Sequence, residues 1–373
     1  MTRKFTLQAN SRGLENLVGT ELVGFHYIES LDGCARWALI FETQKPRQYD
    51  HLIKDDERTL TLRFGTEMNT TGPSKSALKT VRILLSEKHL VGNSKTRFTL
   101  KGTCGGISLQ RHRAKDKHWK ERKVSQIVDE LVSEVGGLSS RIEPTEGKFS
   151  LMGCNIPTGR FVKNHLLPLA YTEKGRDWRF WVENGKTVHF APSDPRGGGK
   201  PLRFTNRFRD GWFILNSPKI IKDTQFETGL RSGKIEMMMY DADRNQLIRQ
   251  DVGEHSGNFN YAASGRPKER KHVSETIRVN YQQGRQTDLR ANKLLRNVGQ
   301  TIWGQHGRSL YRLVALMDYE PGIRVNAPAF VDLVDPLDLP DASTGNWIVH
   351  TVKHLYSRGT TKTWVRLEKR WER

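Results

Sequence analysis

Residues 177–191 read DWRFWVENGKTVHFA. Trp178, Phe180 and Val182 alternate, and Val188 and Phe190 alternate again. Between them Asn184-Gly185 supplies two residues that accept positive φ. An alternating run, an Asn-Gly turn and a second alternating run specify a β-hairpin. This hairpin sets the sheet-rich reading of the rest of the chain. Upstream, Val124, Ile127, Val128, Leu131, Val132 and Val135 follow a helical period. Gly136-Gly137 stops that helix, predicted over 124–135. A shorter helical stretch, Phe161 to Leu167, meets Pro168, which ends or kinks it.

Outside this centre the period is two. Glu21–Ile28, Arg36–Glu42, Thr59–Phe64, Lys79–Leu85 and Thr96–Leu100 read as strands, separated by Gly, Pro, Asn and Asp. After the flexible PSDPRGGGKP at 192–201, strands resume at Trp212–Leu215 and Lys234–Tyr240. They return at Leu310–Leu316, Pro328–Val334, Trp347–His354 and Thr363–Leu367. A second helix is expected over 288–303, with Ala291, Leu294, Leu295, Val298 and Ile302 on one face and Thr287 as its cap. The plan is a first β domain over 1–105, an α+β insertion over 106–200, and a second β domain over 201–373. The last carries an inserted loop at 251–285, polar at 251–272, and 201–233 either opens it or completes the first domain. The fold class is α+β, mainly β.

The chain has 373 residues, with 61 Lys and Arg against 41 Asp and Glu, a formal charge of +20. That length suggests two or three domains. No stretch approaches the ~18 apolar residues of a membrane span. The N-terminal MTRKFTLQANSRG has no apolar core of a signal peptide. The expectation is a soluble, unexported, basic protein whose charge points first to nucleic acid.

Few residues suggest chemistry. Cys34, Cys104 and Cys154 form no CxxC pair, and they read as small buried thiols in a reducing compartment. His112 and His118 sit among cations that would repel a metal, so no metal is expected. Gly197-Gly198-Gly199-Lys200 is followed by Pro201 where a phosphate loop needs a hydroxyl. Asp241 and Asp243 read as turn-shaping residues. The local anomaly is basic: Arg111, Arg113, Lys115, Lys117, Lys120, Arg122 and Lys123 crowd into residues 111–123. They form either a stripe that meets phosphates or the acidic face of a protein partner, or a solvated loop leading into the helix.

Three regions resemble one family, the baseplate hub proteins of contractile phage tails. This is the late-control D type, related to the T-even hub and to the N-terminal part of type VI secretion spike proteins. Phe98–Gly136 resembles the family's strand, glycine, basic loop and helix of pattern xxIVxxLxxxxG. Arg160–Pro192 matches its short helix ending in Leu169-Ala170, then Gly175, Trp178, Asn184-Gly185, Val188, Phe190 and Pro192. Gly345–Arg370 resembles the closing GxWxVxxVxHxxxxxGxxTxxxLxR through Gly345, Trp347, Val349, Val352, His354, Gly359, Thr363, Leu367 and Arg370. One departure is Ile156–Arg160, where the family has an acidic ESD, with Pro168 inside the expected short helix.

The resemblance implies two β-barrel-like tube domains per chain and a homotrimer forming a pseudo-hexameric ring. It implies a structural, non-enzymatic adaptor between the sixfold tail tube and the threefold spike, lining the genome ejection channel. Implied partners are the tail tube or tube-initiator, spike, wedge and tape-measure proteins, with transient passage of genomic DNA and no membrane insertion. No cofactor is implied. The place is the virion tail baseplate, assembled in the host cytoplasm. The rival reading is a nucleic-acid-binding protein using residues 111–123.

Overall fold

A computed structural model describes residues 5–10, 17–18, 21–54, 59–66, 78–92, 94–114, 117–153, 155–171, 178–192, 200–222, 234–241, 246–253, 275–279, 311–334 and 344–369. The strands in chain order are β1 (Phe5–Ala9), β2 (Leu17–Val18), β3 (Leu22–Ser30), β4 (Gly33–Thr43), β5 (Thr59–Thr66), β6 (Lys79–Val91) and β7 (Lys95–Cys104). Next come β8 (His118–Arg122), β9 (Ser139–Ile142), β10 (Phe149–Met152), β11 (Trp178–Glu183), β12 (Thr187–Pro192), β13 (Leu202–Thr205) and β14 (Phe213–Lys222). The last are β15 (Lys234–Asp241), β16 (Gln246–Gly253), β17 (Glu275–Val279), β18 (Tyr311–Asp318), β19 (Pro328–Asp332), β20 (Thr344–Ser357) and β21 (Thr360–Lys369).

Thirteen of these strands form one hydrogen-bonded sheet. Part of it closes: β20, β21, β18, β14, β13 and β19 pair in that order, and β19 returns to β20, making a six-stranded barrel. Its interior is filled by Phe204, Leu313, Val331, Trp347, Val349 and Leu367. From the same β20 the sheet continues through β3, β4, β7, β6, β5, β1 and β2. This second group curls, because Phe5 on distant β1 stacks on Tyr356 of β20 at 4.7 Å and meets Phe25 of β3 at 6.0 Å. The chain is therefore mainly β, and the two β regions are one continuous sheet. β15, β16 and β17 make a separate three-stranded sheet.

β20 joins the two groups by dividing its length. Thr344–Ile348 pair with β19, Thr351–Ser357 pair with β3, and β21 runs along the other edge. Its register with β21 shifts between Val349 and Thr351. One extra residue in a strand reverses the side-chain parity beyond it. Beyond the shift the even-numbered Val352, His354 and Tyr356 are buried while Lys353 and Leu355 are half-buried. β20 turns into β21 at Arg358-Gly359, both at positive φ (42° and 88°), the geometry a two-residue hairpin needs.

The insertion keeps the predicted helix over Val124–Val135, with Val124, Ile127, Val128, Leu131 and Val132 buried. The Gln126 side chain accepts the Lys123 backbone N–H at the start, and Gly136 at φ 70° ends it. The helix packs with β9, β12 and β8, and its core runs on into that of β1–β7. The predicted hairpin is β11–β12, turning at Asn184 and Gly185 with φ of 52° and 72°. The short helix forms in pieces. A turn at Thr158–Phe161 passes into a π turn at Val162–Leu166 and a 3-10 turn at Leu167–Leu169. Pro168, lacking an N–H, cannot continue a regular ladder.

Several expectations change. Residues 118–122, read as basic loop, form β8 paired with β10. Trp119 faces the core there, and a bulge at Glu121 (φ 48°) hid the alternation. β6 runs to Val91 rather than Leu85. β1, β2, β9, β10, β13, β16 and β17 were not anticipated. Residues 251–253 lie in β16. The expected helix at 288–303 and the polar loop beyond 253, apart from β17, lie outside the described residues, as do Lys115, Cys154 and Gly197–Gly199.

The hairpin tip is pressed onto the first sheet. A Cβ on Gly185 would lie 1.9 Å from the Thr80 carbonyl oxygen, while Thr80 N–H donates to the Asn184 carbonyl at 2.9 Å. Gly185→Ala is therefore expected to cost more than the ~1–2 kcal/mol of a left-handed backbone alone. A urea melt followed by circular dichroism tests this, and an unchanged midpoint would refute the contact.

Candidate interaction site

Two buried charged groups hold the insertion to the large sheet. In the first, Glu29 occupies an inward position of β3, in phase with Phe25 and Tyr27. Its Oε2 receives Lys79 Nζ at 3.0 Å, and its Oε1 receives Tyr27 OH at 2.9 Å and the Asn184 N–H at 2.9 Å. Lys79 Nζ also donates to Asn184 Oδ1 at 2.7 Å. Burial, then the Glu29 charge, pushes the Tyr27 phenol well above its usual pKa. Both oxygens of the buried carboxylate are hydrogen-bonded and its counterion is in contact, as a buried charge requires.

The second group centres on Glu368 of β21. Arg179 of β11 donates to its Oε2 at 3.2 Å and Arg366 to its Oε1 at 2.8 Å. His350 Nε2 lies 3.5 Å from Glu368 Oε1 and 3.2 Å from Asp32 Oδ1. The hydrogen bond to His350 holds the Asp32 carboxyl down at about 2, with Arg366 and Lys163 adding to it. A His between two carboxylates suggests acid–base work. Here both carboxylates are engaged, one of them by two guanidinium groups, so the group serves as an ion-paired joint. Among the described residues no trio of His, Cys, Asp or Glu is placed to hold a metal ion.

The basic stretch divides. Lys117 Nζ donates to Glu130 at 2.8 Å and also to Glu134, both on the long helix. Buried Trp119 donates its indole N–H to Glu130 Oε2 at 3.1 Å and stacks on Phe161 at 5.9 Å. Lys117 first, helped by that indole, holds Glu130 below the usual carboxylate range. Arg113 Nη1 donates to the Asn155 carbonyl at 2.9 Å. Arg111 closes a helical turn with its residue exposed, Lys120 and Arg122 are exposed on β8, and Lys123 is half-buried at the helix start. The structure thus spends Lys117 and Arg113 internally and leaves Lys120 and Arg122 facing out. The buried Glu29 and Glu368 groups were missed in the sequence. A charged residue in phase with Phe25 and Tyr27 was the available signal.

The comparisons with known proteins concern the fold. No family model matches the chain, and no curated protein does. Among solved structures, a tail protein from Neisseria meningitidis MC58 matches at TM-score 0.65 and 10% identity, covering 98% of this chain and 96% of that one. The 43 kDa tail protein of prophage MuSo2 from Shewanella oneidensis matches at 0.57 and 10% identity, covering 99% and 98%. An E. coli component of the type VI secretion system, structurally similar to the T4 bacteriophage tail proteins gp27 and gp5, matches at 0.54 and 10%, covering 97% and 76%. The fold is that of phage tail proteins. One of these neighbours is itself similar to gp27 and gp5, in agreement with the hub resemblance seen in the sequence.

Lys79→Met leaves Glu29 buried without its cation and is expected to cost ~3–5 kcal/mol in a urea titration. Adding Glu29→Gln is expected to recover part of that loss, and a loss under 1 kcal/mol would show the pair to be dispensable. Burial, with the Lys79 charge second, lowers the His354 pKa from 6.5 to about 3. Between those values only the unfolded chain takes up this proton, so stability falls as pH drops from about 6.5 toward 3. His354→Gln is expected to flatten that part of the melting-temperature profile. An unchanged slope would refute the assignment.

Proposed function

We propose that the chain is a structural, non-enzymatic hub protein of a phage tail baseplate. In this reading it acts as a homotrimeric adaptor between the sixfold tail tube and the threefold spike, and it lines the genome ejection channel. Residues 1–105 and 201–373 supply the two tube-like units and 106–200 the insertion between them. Its partners are the tube or tube-initiator, spike, wedge and tape-measure proteins, with genomic DNA a transient companion. Its place is the virion tail, assembled in the host cytoplasm.

The observation that carries this is the near-complete mutual coverage with two phage tail proteins over a fold built on a closed barrel. Two β units in one chain are what a threefold assembly needs to present six. Ile214, Ile221 and Leu316 stand exposed on β14 and β18, the outer wall of the closed barrel, as a wall covered by neighbours would have them. The +20 charge first favoured nucleic acid, but Lys117 and Arg113 bond within the chain. What faces outward, Lys120 and Arg122, is offered to an acidic face of a neighbouring subunit.

Light scattering coupled to size exclusion tests the assembly at micromolar concentration. A trimer is expected, and a strict monomer with and without the spike protein would overturn the reading. Lys120→Glu with Arg122→Glu is expected to impair particle assembly while leaving the monomer's melting temperature within about 2 °C, as surface changes do. Normal assembly of that variant would remove Lys120 and Arg122 from the interface.

A further inference from the structure

Cys34 lies at the start of β4 and Cys104 at the end of β7, on antiparallel neighbours that pair Arg36 with Thr103. There β7 passes into the helical turn Gly105–Ile107. Both sulfurs lie 3.2 Å from the position a Cβ on Gly106 would occupy, so the missing side chain of Gly106 is what lets them share the space. The two thiols are free and hydrogen-bond each other. Cys104 is buried, whereas Cys34 is half-buried. Lys163 is fixed beside them by donating to the Asp32 carbonyl. The Cys104 hydrogen bond, then Lys163 and Arg36, draw the Cys34 thiol below its ordinary pKa, while the same bond and burial push Cys104 up. A half-exposed thiol with cationic neighbours is where thiolate chemistry concentrates.

We propose that Cys34 is a reactive thiol and Cys104 its resolving partner, and that the pair closes to a disulfide on meeting a small-molecule disulfide. The Cys34 thiolate attacks one sulfur of oxidised glutathione. The glutathione S–S bond breaks, and one glutathione thiolate leaves with the electron pair. Cys104 then gives up its proton to solvent, attacks the Cys34 sulfur and expels the second glutathione. The two cysteines lose two electrons, and the glutathione disulfide gains them as two thiols. The new bond would tie the start of β4 to the point where the chain leaves the first sheet for the insertion. That point touches the hairpin tip: a Cβ on Gly105 would lie 2.6 Å from the Gly185 carbonyl oxygen. The timing rests on the tail reading, since a chain assembled in reducing cytoplasm meets such oxidants only after release. The chemistry itself does not rest on it.

The test uses the folded full chain carrying Cys154→Ser, treated with oxidised glutathione at neutral pH. The expected product is lighter by two hydrogens, gives a linked Cys34–Cys104 peptide, and melts at a higher temperature than the reduced form. Adding Cys104→Ser, or Cys104→Ala should that variant misfold, is expected to halt the reaction at one glutathione on Cys34. Adding Cys34→Ser is expected to abolish it. Three results would overturn the proposal: a glutathione that stays on Cys34 with Cys104 present, first attack at Cys104, or no reaction in the folded chain while the urea-unfolded chain forms the bond. The assay reads a purified chain, so a monomer in light scattering would end the tail reading without touching this one.

Discussion

A β-strand has two edges for hydrogen bonding, and β20 shares one of them between two partners. One edge serves β21 throughout, while the other serves β19 over its first residues and β3 over its last. The first pairing closes the barrel, and the second starts the N-terminal sheet. The register shift at His350 reconciles the two, because it reverses which residues point inward at the place where the partner changes. Trp347 and Val349 then fill one core, while Tyr356 enters the other and His354 packs on Phe64. A strand without that extra residue would put charged or polar side chains into one of the two cores.

Charge does the joining where apolar packing cannot specify direction. The insertion hairpin touches the sheets through Asn184 at its tip and Arg179 on its first strand, and each meets a buried carboxylate. A hydrophobic contact would tolerate sliding, whereas three donors on Glu29 fix both position and orientation. Arg179 and Glu368 are 189 residues apart in sequence, so this joint exists only in the folded state. Asp32 meets His350 of the second joint and its carbonyl receives Lys163 of the insertion, which makes the β3–β4 turn a meeting point of all three parts of the chain.

Local pattern revealed much of this and could not reveal the rest. The 177–191 hairpin and the 124–135 helix were legible because turn chemistry and period agree within a short window. Most barrel strands were legible by alternation. The sharing of β20 was not, since its partner in β3 lies hundreds of residues away and pairing leaves no local mark. The basic run was legible as charge, yet its structure was hidden. Lys117 finds Glu130 and Glu134 only once the helix forms, and the Glu121 bulge breaks the alternation of β8. Glu29 stands in phase with Phe25 and Tyr27 yet was missed, and nothing local marks Lys79 as its counterion.

The same shared strand sets an order of events during synthesis. Ser30 and Thr351 meet across 321 residues, and β3 has no partner on that side until β20 has been made. Long-range pairing of this kind delays folding, because the closure entropy of the intervening chain comes before any contact offsets it. On the ribosome, the N-terminal strands wait with an open edge while the insertion and β13–β19 emerge. The arrival of β20 and β21 then completes both units in one step. Neither unit can close early and trap the other, so the nascent chain commits to its final form only when nearly all of it is present.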